Sequence, residues 1–254
     1  MKLNDQISRW LTSLRQESGA LASKCESESR PIITLSYAQS WDGSITSEPG
    51  MTLSLSSRAS NAMTHALRSW HDGILIGIGT VLTDDPLLNV REWDGPSPQP
   101  IVLDSLQRLP TDSKICRENN QKPWVLSNSQ VKDNQGTFKQ IVVDSDNEGR
   151  VDLKSAMSAI YARGINTLMV EGGANVIASF LKAQLADAII LTVAPMLVGG
   201  YKAVNTLTND SIFPRIVALN SHHQDDEIIV WGEIDYKNKI WNFFHVHNSA
   251  QRSL

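Results

Sequence analysis

The chain is short of the features that mark most specialised classes of protein. Cysteine occurs only twice, at Cys25 and Cys116, in no metal-ligand spacing. Such sparse usage fits a reducing compartment rather than a disulfide-bonded one. No apolar run approaches the roughly 20 residues that would span a bilayer. The N-terminus lacks a signal-peptide core. The expectation is a cytoplasmic protein with no membrane partner. Neither sign of charge dominates: 23 Lys and Arg against 27 Asp and Glu leave a net charge of -4. That balance gives no electrostatic case for nucleic acid as a partner. The seven tryptophans are scattered and form no stacking platform for bases. Six histidines invite a metal reading, with His222-His223 beside Asp225-Asp226 and His245 and His247 on one face of an expected strand. Both groups lie in late, peripheral segments without a zinc spacing, so surface or edge histidines are the preferred reading and no metal is expected.

What is present is an ordinary globular core. With 254 residues, 41% of them hydrophobic, the chain can build one large α/β domain. No internal repeat or second core is visible. Residues 31–254 are expected to form a single domain, with residues 1–30 as an appendage packing on it or on a second subunit. Asn4 or Asp5 can cap a short helix there, with Ile7, Trp10, Leu11 and Leu14 at helical spacing. The polar run Ser18 to Arg30 reads as a linker.

Pro31 to Ala38, Ile74 to Ile76, Ile101 to Asp104, Trp124 to Ser127, Ile141 to Asp144, Thr167 to Val170 and Ala188 to Ala194 are short runs rich in Val and Ile. Where polar alternation is missing, such runs read as strands buried on both faces. Helices are expected after Ser56 or Ser57 through Trp70, from Asp152 to Arg163, and from Ala174 to Leu181. The alternation predicts a mostly parallel central sheet with helices on both faces. Glu227–Trp231 and Ile240–His247 should close the sheet edge as an antiparallel hairpin.

Two glycine clusters stand at strand ends. Gly77 and Gly79 bracket Ile78, followed by Thr80, Asp84 and Asp85. A backbone of this kind needs positive φ or close approach to something large. The second cluster, Glu171-Gly-Gly173, lies between an expected strand and the helix starting at Ala174, Asn175 and Val176. Strand, glycine turn and helix start together form an anion site, because unpaired amides and the helix dipole point at one spot. The plainer alternative for each cluster is an ordinary tight turn. Arg68 lies off the apolar stripe near a helix C-terminus, where an exposed cation is the default.

These motifs resemble the reductases of riboflavin biosynthesis. Asp42-Gly43, Gly77-x-Gly-Thr-Val-Leu-x-Asp-Asp-Pro86, Glu171-Gly-Gly173, and Ala194-Pro195 followed by Gly199-Gly200 occur in that order in the family. Tyr37-Ala-Gln-Ser40, Met63-Thr-His65, Leu67-Arg68 and His71-Asp-Gly-Ile-Leu75 are similar to the stand-alone fungal enzymes. The resemblance covers about Pro31 to His247 and implies a dihydrofolate-reductase-like α/β fold. It also implies NADPH-dependent reduction of a ribosylamino-pyrimidine 5′-phosphate to its ribityl form. The sugar ring opens to an imine, and hydride reaches its C1′ carbon. The H-x-E and P-C-x-x-C motifs of the zinc deaminase fused to many bacterial members are missing, so no deamination is expected.

Position by position, the resemblance places Ala38, Ser54, Thr80, Asp84 and Ser105 on the dinucleotide, with Gly173 and the following helix start at its phosphates. It places Thr52, Arg68, Leu88, Arg91 and Glu171 around the substrate, with Arg68 and Arg91 as a phosphate clamp and Glu171 as the candidate catalytic group. Ser36 replaces the lysine of bacterial fused enzymes, so lysine-assisted ring opening is not expected. Thr52 keeps the hydroxyl of the more usual Ser, and the Ser54 position is aromatic in some members. The diamino-pyrimidinone is the favoured substrate and a homodimer the expected assembly. The deaminated uracil, a pterin-type substrate, and a non-catalytic dinucleotide-binding role are the alternatives.

Overall fold

The computed structural model describes residues 2–22, 29–129, 136–204, 207 and 213–237. In chain order the elements are α1 (Leu3–Ala22), β1 (Ile32–Ser40), β2 (Ser44–Thr46), α2 (Arg58–Ser69), β3 (Gly73–Gly77), α3 (Ile78–Asp84), β4 (Gln99–Leu103) and α4 (Lys114–Arg117). There follow β5 (Trp124–Ser127), β6 (Lys139–Val142), α5 (Leu153–Tyr161), β7 (Thr167–Val170), α6 (Ala174–Lys182), β8 (Ala188–Ala194), β9 (Tyr201–Lys202), β10 (Arg215–Gln224) and β11 (Glu227–Asp235).

One nine-stranded sheet runs in the order β10-β11-β8-β1-β7-β3-β4-β5-β6. Every pairing from β8 across to β6 is parallel, as continuous apolar strands require. β11 joins β8 antiparallel, and β10 pairs antiparallel with β11. The outermost hairpin therefore joins β11 to the segment before it. Arg215–Gln224 alternates too weakly to announce a strand, because at the edge most of its side chains stay in water. Ile240–His247, the partner expected from its apolar pattern, lies outside the described residues, as do His245 and His247. The short β2 strand pairs with β9 in a separate two-stranded sheet.

The N-terminal helix is longer than its apolar stripe suggests, running to Ala22 through residues expected to be linker. Residues 23–28, the middle of that linker, lie outside the described set. Leu3, Ile7 and Leu11 pack with Met63 and Leu67 of α2, Met169 of β7, Ile190 of β8, and Ile229 and Trp231 of β11. Each fully buried Leu or Ile of this kind contributes about 1.5–3 kcal/mol. The opposite face buries Ile33, Leu35, Leu75 and Leu168 against Ile160 of α5 and Ile177 and Phe180 of α6.

His71 sits in this core between α2 and β1. Its Nδ1 lies 2.8 Å from the Leu67 carbonyl and must donate; its Nε2, 3.1 Å from Thr34 Oγ1, then accepts. Burial pushes the imidazole pKa down to about 4, against the pull of the Leu67 carbonyl, which favours the proton. A depressed pKa means that the unfolded chain binds the proton first. The stability is complete above the unfolded value near 6.5 and is lost as pH falls towards 4. That loss should reach about 3 kcal/mol in denaturant melts taken between these limits. His71→Asn, which can still donate to Leu67 but does not titrate, should flatten the slope; an unchanged slope would assign it elsewhere.

Candidate active site

The expected site residues come from the carboxyl ends of neighbouring parallel strands, where an open α/β sheet leaves a crevice. Gly77 ends β3 and caps α3, and Gly173 follows β7 and caps α6; neither has a side-chain cap bond. β3 and β7 are adjacent, so the two helix starts lie side by side. Contacts between them show why these residues lack side chains. A Cβ on Gly77 would sit 2.7 Å from Val176 Cγ2, and one on Gly172 would sit 2.8 Å from Val176 Cβ. Gly77 makes room for α6 beside α3, and Gly172 makes room for the first turn of the helix that follows it. At Gly173 the nearest atom is Thr80 Oγ1 at 3.8 Å, and at Gly79 nothing lies within 4 Å. Gly79 is thus a helical residue rather than part of a glycine turn, because α3 starts directly from the strand. Gly77 has extended backbone, with φ of -84°, so close approach explains it.

Alongside this open backbone lies a charged group. Arg68, from the last turn of α2, donates Nε to Glu171 Oε1 at 2.8 Å and Nη2 to Oε2 at 2.7 Å. Its Nη1 donates to the Asn89 carbonyl at 3.1 Å. The Arg68 side chain is only 11% exposed, which corrects the expectation of a solvent-facing arginine. Burial alone would lower its pKa; the Glu171 charge and hydrogen bonds, with Glu92, outweigh that and raise it. Arg68, Asp84, Leu88, Arg91 and Lys114 then line a cavity of about 320 Å³ together with Asp85, Pro86 and Leu87. Thr52 Oγ1 donates to Asp84 Oδ1 at 2.6 Å, bringing the 47–57 loop to the same place. A larger hollow of about 610 Å³, lined by Arg58, Asn61, Ala62 and Glu92, holds none of the expected site residues.

The match to a family of known proteins decides the affiliation. Residues 31–230 match the family model of the RibD C-terminal domain. The chain belongs to this family. A relative from Candida glabrata, named 2,5-diamino-6-ribosylamino-4(3H)-pyrimidinone 5′-phosphate reductase, is 35% identical over 188 residues, covering 67% of this chain and 77% of its own. The protein of the same name from Archaeoglobus fulgidus is 30% identical, over 73% of this chain and 90% of its own. Among solved structures, the riboflavin biosynthesis reductase Rib7 of Saccharomyces cerevisiae superposes with a TM-score of 0.67 at 25% identity, over 84% of this chain and 94% of that one. RibD of Acinetobacter baumannii shares the fold at a TM-score of 0.72, over 82% of this chain and 59% of that one. Like these relatives, this RibD-type chain is a reductase of riboflavin biosynthesis.

Within this RibD-type domain the expected residues divide. Thr52, Asp84, Leu88, Arg68, Arg91 and Glu171 are joined by contacts or by the shared cavity. Thr80, Gly173 and Val176 meet at the two helix starts, and Asn175 Oδ1 lies 3.5 Å from the Tyr201 hydroxyl. Ala174 is buried at the first position of α6. Ser105 lies two residues beyond β4, where its Oγ accepts from the Val151 amide at 2.9 Å. Ala38 is half-buried on β1, beyond the last β1 pairing with β7. Ser54 is exposed in the 47–57 loop.

Asp42 shows a role that sequence reasoning missed. Its carboxylate accepts from Ser40 Oγ at 2.6 Å, Ser44 Oγ at 2.8 Å, Val198 N at 2.9 Å, Gly199 N at 3.0 Å and Lys202 Nζ at 2.5 Å. Lys202 first, then the hydroxyls and the Val198 amide, hold it far below the usual carboxylate range. One acidic side chain thereby ties the β1–β2 turn to the Gly199-Gly200 segment, two motifs that are far apart in sequence. Gly200 is obligatory there, because a Cβ would meet the Thr46 carbonyl oxygen at 2.2 Å.

The packing role of Gly77 is directly testable. Gly77→Ala should cost about 1–3 kcal/mol by overpacking against Val176. In urea denaturation, Gly77→Ala with Val176→Ala should recover much of that loss. Strict additivity of the two changes would refute the contact.

Proposed function

We propose that the protein reduces 2,5-diamino-6-ribosylamino-4(3H)-pyrimidinone 5′-phosphate to its ribityl form with NADPH. The observation that carries this reading is a cavity lined by Arg68 and Arg91, with Arg68 paired to Glu171 two residues before the glycine that caps α6. The helix starts suit a dinucleotide: open backbone at Gly79 and Gly173 leaves room that a Cβ would fill, Thr80 lies beside Gly173, and α6 begins there with Ala174 and Asn175. A bound nicotinamide cofactor would supply the hydride; the protein's part is to hold and orient. The preference for NADPH rests on the family resemblance, as do the assignments of Ala38, Ser54, Asp84 and Ser105 to the cofactor.

On the substrate side the arginines divide the work. Glu171 already occupies two N–H groups of Arg68, so Arg68 is fixed in direction. Arg91 carries an exposed guanidinium with Nη1 on Asn89 Oδ1 at 3.0 Å, and is the arginine placed to meet a phosphate monoester. With both oxygens accepting from Arg68, Glu171 acts first as the group that sets Arg68, and its remaining lone pairs can accept from sugar hydroxyls. Thr52 and Leu88 complete the substrate wall. Homodimer formation is part of the same reading; exposed Ile216 and Leu219 on β10, the edge among the described strands, are compatible with it.

The decisive assay follows NADPH oxidation with the diamino-pyrimidinone phosphate and its uracil counterpart offered separately. Turnover should be faster on the former. Arg91→Ala should raise KM for the phosphorylated substrate by about 10- to 100-fold, the equivalent of one or two charge-assisted hydrogen bonds, with NADPH affinity unchanged. Cofactor binding without oxidation on either substrate would overturn the reductase assignment. Glu171→Gln keeps the shape but removes the charge that holds Arg68. Its kcat/KM, measured well below the variant's lowered melting transition, should fall by about 100-fold.

A further inference from the structure

The segment from Asp85 to Arg91 forms much of the cavity wall and is held in an unusual shape. Asp85 and Leu88 have φ of 42° and 57°, the left-handed region that residues other than glycine rarely adopt. Leu88 is buried, and such a conformation persists only where the surroundings impose it. Several tethers do so. Asp85 Oδ1 accepts from the Lys114 amide at 2.8 Å, and the Leu87 carbonyl accepts from Asn119 Nδ2 at 2.6 Å. The Val90 amide donates to Ser97 Oγ at 3.0 Å. Two further tethers come from α2: Arg68 Nη1 to the Asn89 carbonyl, and the Arg91 amide to His65 Nδ1 at 3.3 Å.

The last of these differs in kind, because its acceptor can be lost to a proton. We infer that His65 is a positioning residue, whose neutral Nδ1 fixes Arg91 by accepting its backbone N–H. This inference rests on the reductase reading, in which Arg91 meets the substrate phosphate. An amide can only donate, so Nδ1 must carry a lone pair and the ring proton must sit on Nε2. His65 is 4% exposed, one helical turn from Arg68 on the same helix. The charged groups that act on it are Arg68 of α2, Arg91 and Glu92 of the loop, and Glu171 after β7. Burial first, then the two arginines, keep the ring neutral; the two glutamates oppose them. A proton on Nδ1 would set two donors face to face and add a cation beside Arg68 and Arg91. Arg91 would then lose its fixed position while the cofactor side, built on other strands, would not.

The test compares His65→Asn and His65→Leu with the parent enzyme between pH 5 and 8. The Asn amide oxygen stands where Nδ1 does and cannot titrate in this range. His65→Asn should keep the parent KM at pH 7.5 and show a smaller rise in KM at pH 5. His65→Leu should raise KM for the phosphorylated substrate about five- to tenfold at all pH values, the equivalent of one lost hydrogen bond. In both variants kcat should stay within about twofold and NADPH affinity should be unchanged, since the lost contact concerns only the hold on substrate. Parent-like KM and pH dependence in His65→Leu would overturn the proposal, as would His65→Asn behaving like His65→Leu. Nitrogen chemical shifts of the His65 ring provide a readout that needs neither variant. A proton on Nε2 with Nδ1 bare supports the assignment, and a proton on Nδ1 refutes it. Should the parent enzyme reduce neither pyrimidine, the reductase reading falls, and the ring tautomer alone decides the His65–Arg91 contact.

Discussion

The paired hydrogen bonds between Arg68 and Glu171 add a charged lock to two elements, α2 and β7, that also pack through Met63, Leu67 and Met169. Arg68 ends a helix, Glu171 follows a central strand, and 103 positions separate them. Through Nη1 the same guanidinium reaches the Asn89 carbonyl and so sets the height of the cavity wall. Two charges so little exposed to water are costly to bury singly, and removing one partner of such a pair costs about 3–5 kcal/mol. The pair therefore enforces the relative position of α2, the end of β7 and the 85–91 segment together. The arrangement of these three parts is thereby set by contacts within the chain.

Much of the sheet was legible because its strands are buried on both faces. Ile74-Leu-Ile76, Thr167-Leu-Met-Val170 and Ala188-Ile-Ile-Leu191 have no polar alternation and take their expected places in a parallel sheet. The edge hairpin was not legible for the converse reason. Arg215–Gln224 is mostly solvent-facing, so its sequence carries little periodic signal, and its partner is fixed by proximity to β11 rather than by pattern. Helix α1 runs on to Ala22, past the apolar stripe that ends at Leu14, so the stripe alone understates its length.

The two glycine clusters stand at neighbouring strand ends for mixed reasons. Gly77 and Gly172 are required by Val176, a protein contact, whereas Gly79 and Gly173 leave backbone open. Composition alone cannot separate these two roles, since both read as glycine at a strand end. The partnership of Arg68 with Glu171 was invisible for another reason. Local spacing put Arg68 on a polar helix face, and only the crossing of α2 beside β7 turns that face inward. His65 carried one local hint, its three-residue spacing from Arg68, which places both on neighbouring positions of the helix surface. The Asp42 hub carried none, because its partners come from segments over 150 positions apart.

Helix α2 shows how ion pairs and hydrogen bonds from other elements hold one wall of the cavity in place. At its N-terminus Glu227 of β11 accepts from the Ser57 amide at 2.6 Å, from Ser57 Oγ at 2.8 Å and from Ser60 Oγ. At its C-terminus Arg15 of α1 donates to the Trp70 carbonyl. An anion at the start and a cation at the end both complement the helix dipole, each favourable by about 0.3–1 kcal/mol or more when partly buried. Arg68, in the last turn, is locked by Glu171. The helix is thus fixed at each end by charged groups from other elements, and neither Glu227 nor Arg15 lines the cavity. Substitutions inside the cavity can then alter what it binds while α2 stays in place. A change at Glu227 or Arg15 would displace Arg68 and His65 together, because both ride on the same rigid helix.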